Sequence, residues 1–245
     1  MSGFFMHRFF ANFHLLDTVL VHHAQPIFHQ IPRVFRARKW DLVIFFEAHW
    51  CDCIYELVGI DKNNLKFVKK DEIAKTKETQ NAPIFTLFQA YPNKISTLEI
   101  LVQKIVEVWA QKIVLFSTER SQMQSISVNK ITRISTIAQE AMEQSHGNSP
   151  LIIEQYDSIV ETFEKYSWMR HILAHPEGNK GIAHWLPSEI GLWVWPEGGW
   201  SQKEEDFFKK QKFIFWSFNK NILRLETAAI VGLGILNHHY FETPL

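Results

Sequence analysis

The residues best placed to do chemistry are Trp195-Pro196-Glu197-Gly198-Gly199-Trp200-Ser201-Gln202-Lys203-Glu204. A tight Pro-Glu-Gly-Gly loop runs here straight into a helix start. Two adjacent glycines let a backbone pass close to a ligand with no Cβ in the way. Ser201 followed three residues later by Glu204 forms a capping box, so the spacing predicts a helix from that point. A second loop-to-helix junction follows at Ile222-Leu223-Arg224-Leu225-Glu226-Thr227-Ala228. Loops of this kind offer backbone N–H and C=O groups to a polar ligand, and two of them side by side could close a pocket. A Gly-Gly pair alone is most simply a tight turn, so neither segment identifies a function by itself.

Other chemistry-bearing residues are weaker signals. Cys51 and Cys53 sit one residue apart, a spacing poorly suited to a disulfide. They read as reduced thiols on a strand, and a metal site would need further ligands. The pairs His22-His23 and His238-His239 do not share one face of a helix or strand and read as surface residues. Arg33, Arg36, Arg38 and Lys39 form the densest basic run, with Arg8 a candidate neighbour. Formal net charge is zero, which argues against coating nucleic acid by bulk charge and leaves only a local basic patch.

The elements that must position these residues fall into two groups. From about Arg8 to Lys70 the chain is strand-rich. Asp41–Glu47 and Cys53–Ile60 are short runs of β-branched and aromatic residues. Asp61-Lys62-Asn63-Asn64 has turn chemistry, and Leu65-Lys66-Phe67-Val68 alternates like a half-buried strand. Several short strands without long helices predict a small barrel. Residues Asp71–Asn81 are polar, lack apolar periodicity and read as a linker. Beyond them, strands at Ile84–Ala90, Lys112–Phe116, Leu151–Ile153, Arg170–Leu173 and Ile190–Val194 alternate with helical segments. One of those helices is opened by a second capping box, Ser96 with Glu99, and carries Leu98, Leu101, Val102, Ile105 and Val108 on one stripe. Another runs from about Lys130 to Gln144. This alternation implies an α/β domain with a mostly parallel sheet. Ligands of such sheets bind at the carboxyl ends of the strands, where the Pro-Glu-Gly-Gly loop lies.

With 245 residues, 46% hydrophobic and 21% charged, the chain can fill one large or two modest cores. No run of about 18 apolar residues occurs, so no membrane span is expected. Met1–Arg8 lacks the features of a signal peptide, which predicts a cytoplasmic protein.

Taken in order, the motifs resemble a family. Met6-His7-Arg8-Phe9-Phe10 and Arg33-Val34-Phe35-Arg36 come first. Gln103-Lys104 with Glu107, Ser117-Thr118-Glu119-Arg120-Ser121 and Glu140–Ser145 follow. Leu173-Ala174-His175-Pro176 and the two opening loops complete the series. Nearly end to end, the chain resembles the RsmE-type 16S ribosomal RNA (uridine-N3) methyltransferases of the SPOUT superfamily.

The resemblance implies a PUA-like β-barrel RNA-binding domain over residues 1–72. It implies a SPOUT α/β methyltransferase domain with a deep trefoil knot over residues 82–245. It implies a homodimer acting on 16S rRNA or the 30S subunit, with S-adenosylmethionine as cofactor and no metal. The cofactor would lie between the loop after Leu173, the loop at Pro196–Gly199 and the loop at Ile222–Thr227. Its expected contacts are Leu173, His175, Pro176, Trp195, Pro196, Glu197, Gly198, Gly199, Ile222, Leu223, Leu225 and Thr227. Arg224 is the expected stabiliser of a uridine anion. Glu197 is either a base or a carboxylate that fixes the loop by accepting backbone N–H groups. Arg8, Arg33, Arg36 and Arg120 are the expected RNA contacts.

Some positions depart from the family. Trp195 stands where the family has the first glycine of Gly-Pro-Glu-Gly-Gly. Asn219 and Asn221 replace a Gly and an Arg, and Asn219 is expected to keep the turn by adopting positive φ. Trp109 replaces a glycine at a helix end. His146-Gly147 replaces Gly-Arg, and Leu225 replaces a threonine. These departures keep two further readings open: a non-catalytic RNA-binding or assembly protein on the same fold, and a knotted methyltransferase with another RNA target.

Overall fold

The structure is a computed structural model that describes residues 6–33, 35–47, 52–73, 84–181 and 189–242. Side chains are described for these residues except 33, 241 and 242. Cys51 and most of the expected linker lie outside the described residues. The chain divides into two compact units, Met1–Gln80 and Asn81–Leu245.

The first unit is built on one five-stranded sheet. Its strands are β1 (Arg8–Phe10), β2 (Thr18–His22), β3 (Leu42–Phe46), β4 (Asp52–Ile60) and β5 (Asn64–Ile73). Their spatial order is β1-β3-β4-β5-β2, with β1 parallel to β3 and the other pairs antiparallel. Alternation along β4 buries Cys53, Tyr55 and Leu57. These residues share a core with Phe45, Leu65 and Phe67, so the period-2 pattern places this face inside. The Asp61 carboxylate accepts the backbone N–H groups of Asn63 and Asn64 at 2.8 and 2.7 Å, closing the β4–β5 turn. Two expectations need correction. The region also contains a helix, α1 (Pro26–Arg33), which buries Ile27 and Ile31 one turn apart. And β5 runs on to Ile73, past the point where the linker was expected to begin.

The second unit alternates strand and helix. Its strands are β6 (Ile84–Ala90), β7 (Lys112–Phe116), β8 (Ile152–Tyr156), β9 (Arg170–Asn179), β10 (Glu189–Val194) and β11 (Ile214–Trp216). Its helices are α2 (Ile95–Glu107), α3 (Val128–Gln144), α4 (Ile159–Lys165), α5 (Gln202–Lys210) and α6 (Leu225–Glu242). The six strands pair in the order β11-β9-β10-β6-β7-β8, every pair parallel. Parallel strands covered on both faces are buried throughout, and Leu192, Trp193 and Val194 of β10 are all 0% exposed. One layer of the core is aromatic. Trp193 stacks on Phe88 at 4.4 Å and meets Phe208 and Phe213 edge-on. Elsewhere α6 packs on α2 and β10.

Three expectations about this unit also change. The residue capping α2 is Lys94, with no side-chain cap bond, so Ser96 and Glu99 form no capping box there. Glu99 instead pairs with Arg133 at 3.0 Å. Strand β9 extends to Asn179, so His175 and Pro176 belong to a strand and not to a loop after Leu173. The short edge strand β11 was not anticipated.

Trp109 and His146 keep the backbone their departures from glycine put at stake. Their φ values are +69° and +58°. Both follow helix ends, where a left-handed residue lets the next N–H groups reach back to orphan carbonyls. Ala110 N–H bonds Ile105 C=O at 2.9 Å, and Gly147 N–H bonds Met142 C=O at 2.9 Å.

Candidate active site

The carboxyl ends of β9, β10 and β11 lie side by side, because the three strands are parallel neighbours in the sheet. The first brings His175, Pro176 and Glu177 to this edge. The second releases the chain at Trp195, and the third releases it at Ser217. The cleft between these segments has a volume of about 600 Å³. Its walls include His175, Trp195, Glu197, Gly198, Gly199 and Ile222. A second, inner chamber of about 20 Å³ adjoins it, lined by Trp216, Phe218, Asn219 and Leu223 among others. That is room for about one water molecule. His175, Pro176, Trp195 and Ile222 line both spaces.

The Pro-Glu-Gly-Gly loop is fixed from several sides. Gly199 adopts φ +70°, and its N–H donates to the Pro196 carbonyl at 2.9 Å. An L side chain there would be strained, which explains the glycine. A Cβ on Gly198 would stand 3.0 Å from Cβ of Arg120, so that glycine permits the close approach of the turn after β7. Arg120 completes the contact by donating Nη1–H to the Gly198 carbonyl at 3.0 Å. Both carboxylate oxygens of Glu197 accept the Asn93 N–H, at 3.1 and 3.2 Å. This is the loop-fixing role left open for Glu197.

The predicted capping box at the start of α5 is present. Ser201 N–H donates to Glu204 Oε2 at 2.7 Å, and Glu204 N–H donates to Ser201 Oγ at 3.3 Å. Glu204 does more than cap. Its Oε1 accepts the Glu119 N–H at 2.9 Å, so one buried carboxylate ties the helix start to the turn after β7.

His175 faces the cleft from β9. Its Nδ1 accepts the Glu177 N–H at 3.2 Å, and its Nε2 lies 3.6 Å from Glu205 Oε1. Glu177, Glu197 and Glu205 all line the cleft.

Not every expected contact lines these spaces. Leu173 and Leu225 are 0% and 2% exposed and belong to the core. Pro196 and Thr227 are not among the lining residues, whereas Leu223 and Ile222 are. Arg224 is exposed and directly follows Leu223. Asn219 has no positive φ. Its turn is held by side chains instead, with Nδ2–H donated to the Asn221 carbonyl at 3.2 Å. Glu177, Trp200, Glu205 and the Trp216–Phe218 segment line the site without having been foreseen. The rule that ligands sit at carboxyl ends would have found Trp216–Phe218 had β11 been recognised as a parallel strand.

In the first unit, Arg8 corrects an expected RNA contact. Its side chain is 2% exposed, pairs with Asp52 at 2.7 and 2.8 Å, and lies over the Phe46 ring at 3.4 Å. A guanidinium so enclosed holds β1 to β4 and has no face for a phosphate. Arg36 and Arg120 are exposed, while the side chain of Arg33 lies outside the described residues. Cys53 is buried. Among the described residues, no group of three or more His, Cys, Asp and Glu could hold a metal ion, and no helix is long and apolar enough to cross a membrane.

Known proteins share this fold. A protein from Legionella pneumophila, solved in complex with the bound cofactor SAM, is 21% identical, with TM-score 0.83 over 95% of this chain and 97% of its own. A ribosomal RNA small subunit methyltransferase E from Neisseria gonorrhoeae, bound to S-adenosylmethionine, is 23% identical, with TM-score 0.82 over 96% and 98%. At the sequence level, ribosomal RNA small subunit methyltransferase E 2 of Borreliella burgdorferi is 29% identical over 228 residues, 89% of each chain. The family described as RNA methyltransferase domain matches residues 79–237, which takes in every strand and loop of the cleft. By that match across well over half its length, the chain belongs to the RNA methyltransferase domain family.

Proposed function

We propose that this protein is an S-adenosylmethionine-dependent methyltransferase acting on N3 of a uridine in 16S rRNA, within the RsmE-type branch of its family. The observation that carries this reading is the convergence of β9, β10 and β11 on one cleft, in a chain resembling enzymes named for small-subunit rRNA. A volume of about 600 Å³ suits a nucleoside-sized ligand. The carboxylates of Glu177, Glu197 and Glu205 suit the cationic sulfonium and ammonium of this cofactor. Ile222 and Leu223 offer an apolar slot for its adenine once the Trp195 indole turns aside. When bound, the cofactor supplies an electrophilic methyl carbon.

The chain's own task is to hold the uracil and favour loss of its N3 proton. That loss places negative charge on the ring oxygens. Arg224, exposed just before α6, presents a guanidinium that can face such an oxygen. Glu197 is already engaged with Asn93 N–H, which favours loop fixing over a role as base. Arg36 and Arg120 contact phosphates and position the RNA, with Arg33 three residues before Arg36.

In the same reading, unit Met1–Gln80 is the PUA-like barrel and the second unit is the knotted SPOUT domain. The placement of β10 between β9 and β6, with β11 beyond β9, is compatible with a chain threaded at this edge. A homodimer is supported by α6, whose stretch Ala228–Leu236 is apolar on every side. Val231 is 36% exposed on it, and Gly234 has open space before it.

One observation favours a second reading, a non-catalytic RNA-binding protein: Trp195 lines an inner chamber of only about 20 Å³. Calorimetry with S-adenosylmethionine separates the two, since micromolar binding removes the second reading. Nucleoside mass spectrometry of 16S rRNA from cells lacking the protein tests the first. Loss of 3-methyluridine is expected, and its full retention overturns the proposal.

A further inference from the structure

The segment Arg36–Asp41, between α1 and β3, has features the methyl-transfer site does not use. Two of its residues other than glycine hold left-handed backbone: Arg36 at φ +53° and Trp40 at φ +81°. Such values are costly for a bulky side chain and persist only where the surroundings impose them. The imposing contacts are visible. Trp40 N–H donates to the Leu57 carbonyl at 2.7 Å, and Leu57 N–H donates to the Asp41 carbonyl at 3.0 Å. Asp41 N–H donates to the Arg38 carbonyl at 3.0 Å, and the Asp41 carboxylate accepts Arg38 N–H at 2.6 Å. Ala37 N–H reaches the Ile31 carbonyl of α1 at 3.2 Å.

This bracing does not bury the indole. Trp40 is 61% exposed. A core would gain from so large an apolar ring, yet here the backbone is strained and the ring faces water. Cations surround it: Arg36, Arg38 and Lys39 are all exposed, and Lys39 Nζ lies 4.7 Å from the ring centroid. In a chain of zero formal net charge, three cations in four residues form a local concentration of positive charge.

We propose that Trp40 is a stacking platform for an unpaired RNA base, with Arg36, Arg38 and Lys39 engaging the flanking phosphates. This rests on the proposed RNA substrate and adds a second point of contact to it. Single-stranded RNA is recognised by this combination of a presented aromatic face and cations along the backbone. A lone ring among cations is too small an apolar patch for a stable protein interface. Because the braced loop holds the ring in advance, little ordering is needed when a base stacks on it.

The test uses the full chain and a short fluorescein-labelled single-stranded RNA, with an abasic RNA of equal length as control. Binding is read by anisotropy and stability by thermal unfolding. Trp40→Ala should weaken binding of ordinary RNA about 5- to 100-fold, the range for losing one stacked base. It should change binding of the abasic strand less than about threefold. Trp40→Phe should keep most of the affinity. Trp40→Gly relieves the left-handed backbone, so it should raise the Tm by about 2–4 °C while losing affinity as Trp40→Ala does. A more stable variant that binds less separates recognition from folding. If wild-type protein binds ordinary RNA and Trp40→Ala binds it equally well, the platform is refuted and the RNA reading stands. If wild-type protein binds neither strand, both fail together.

Discussion

Trp195 occupies the wall shared by the cleft and the inner chamber. Its half-buried ring also packs against the aromatic core of the second unit. An inner space of about 20 Å³ cannot admit a purine, and turning the indole that lines it would enlarge it. Moving a packed side chain off its preferred rotamer costs about 0.5–1.5 kcal/mol. Binding affinity is lowered by the fraction of molecules in the open arrangement. Trp195→Ala should therefore tighten S-adenosylmethionine binding by about two- to tenfold, measured calorimetrically, at some expense in Tm. Weaker binding would mean that the indole holds the ligand and does not obstruct it. Arg224 makes a different prediction. If it meets charge that develops only as the uridine ionises, Arg224→Ala should lower kcat by about 10²–10³ and leave the calorimetric cofactor affinity within about twofold. Equal losses in both would place Arg224 in cofactor binding. What residue types reveal is uneven here. Gly198 and Gly199 stand out because close approach and positive φ exclude other side chains. Leu173 and Leu225 mislead because a leucine looks the same in sequence whether it faces a pocket or the core.

At the scale of elements, Glu204 has the most to lose. One of its carboxylate oxygens caps α5 and the other holds the Glu119 N–H of a different turn. Ser201→Ala removes only a cap and should cost about 1 kcal/mol. Glu204→Ala leaves N–H donors unpaired on two segments, the buried one of Ser201 worth about 1–3 kcal/mol and the part-buried one of Glu119 adding to it. It should therefore cost at least twice as much by denaturant unfolding and weaken cofactor binding, because the Gly198 wall leans on the same turn through Arg120. Equal costs for the two variants would refute the bridging role. This box was legible in the sequence because Ser201 and Glu204 stand where an apolar strand has just ended. Ser96 and Glu99 have the same spacing, yet the chain caps two residues earlier, at Lys94. Spacing alone does not fix where a helix begins. The central strands were legible because parallel strands buried on both faces read as short apolar runs. Helix α1 was not, since its two prolines mask an Ile27–Ile31 pair that spans a single turn. Strand β11, at three residues, is too short to show any period.

At the scale of the molecule, the order of the six parallel strands is a long-range property that local sequence does not encode. Their shared core includes a buried histidine. His171 is 8% exposed. Trp193 Nε1–H donates to its Nδ1 at 3.0 Å, and its Nε2 meets the Tyr166 carbonyl at 3.0 Å. With Nδ1 accepting, Nε2 carries the proton and the ring is neutral. Burial pushes the pKa down from 6.5 to about 4, against the opposing pull of the Tyr166 carbonyl. The sign follows from linkage. An unfolded chain takes up this proton near pH 6.5, whereas the folded chain resists it until about pH 4. Folding is therefore favoured fully above pH 6.5 and loses stability as the pH falls from there to about 4. The loss amounts to up to about 3 kcal/mol at about 1.4 kcal/mol per pH unit. Other groups add to acid unfolding. At Glu154, burial raises the carboxyl pKa, but bonds from Tyr166, Lys112 and Tyr156 prevail and hold it below its usual range. Comparison with His171→Gln isolates the histidine, because glutamine has no proton to gain. Between pH 7.5 and 4.5 the wild-type Tm should fall more steeply than that of the variant, with the curves separating near pH 6.5. Parallel curves over this range would mean that His171 opens to solvent and titrates before the core unfolds.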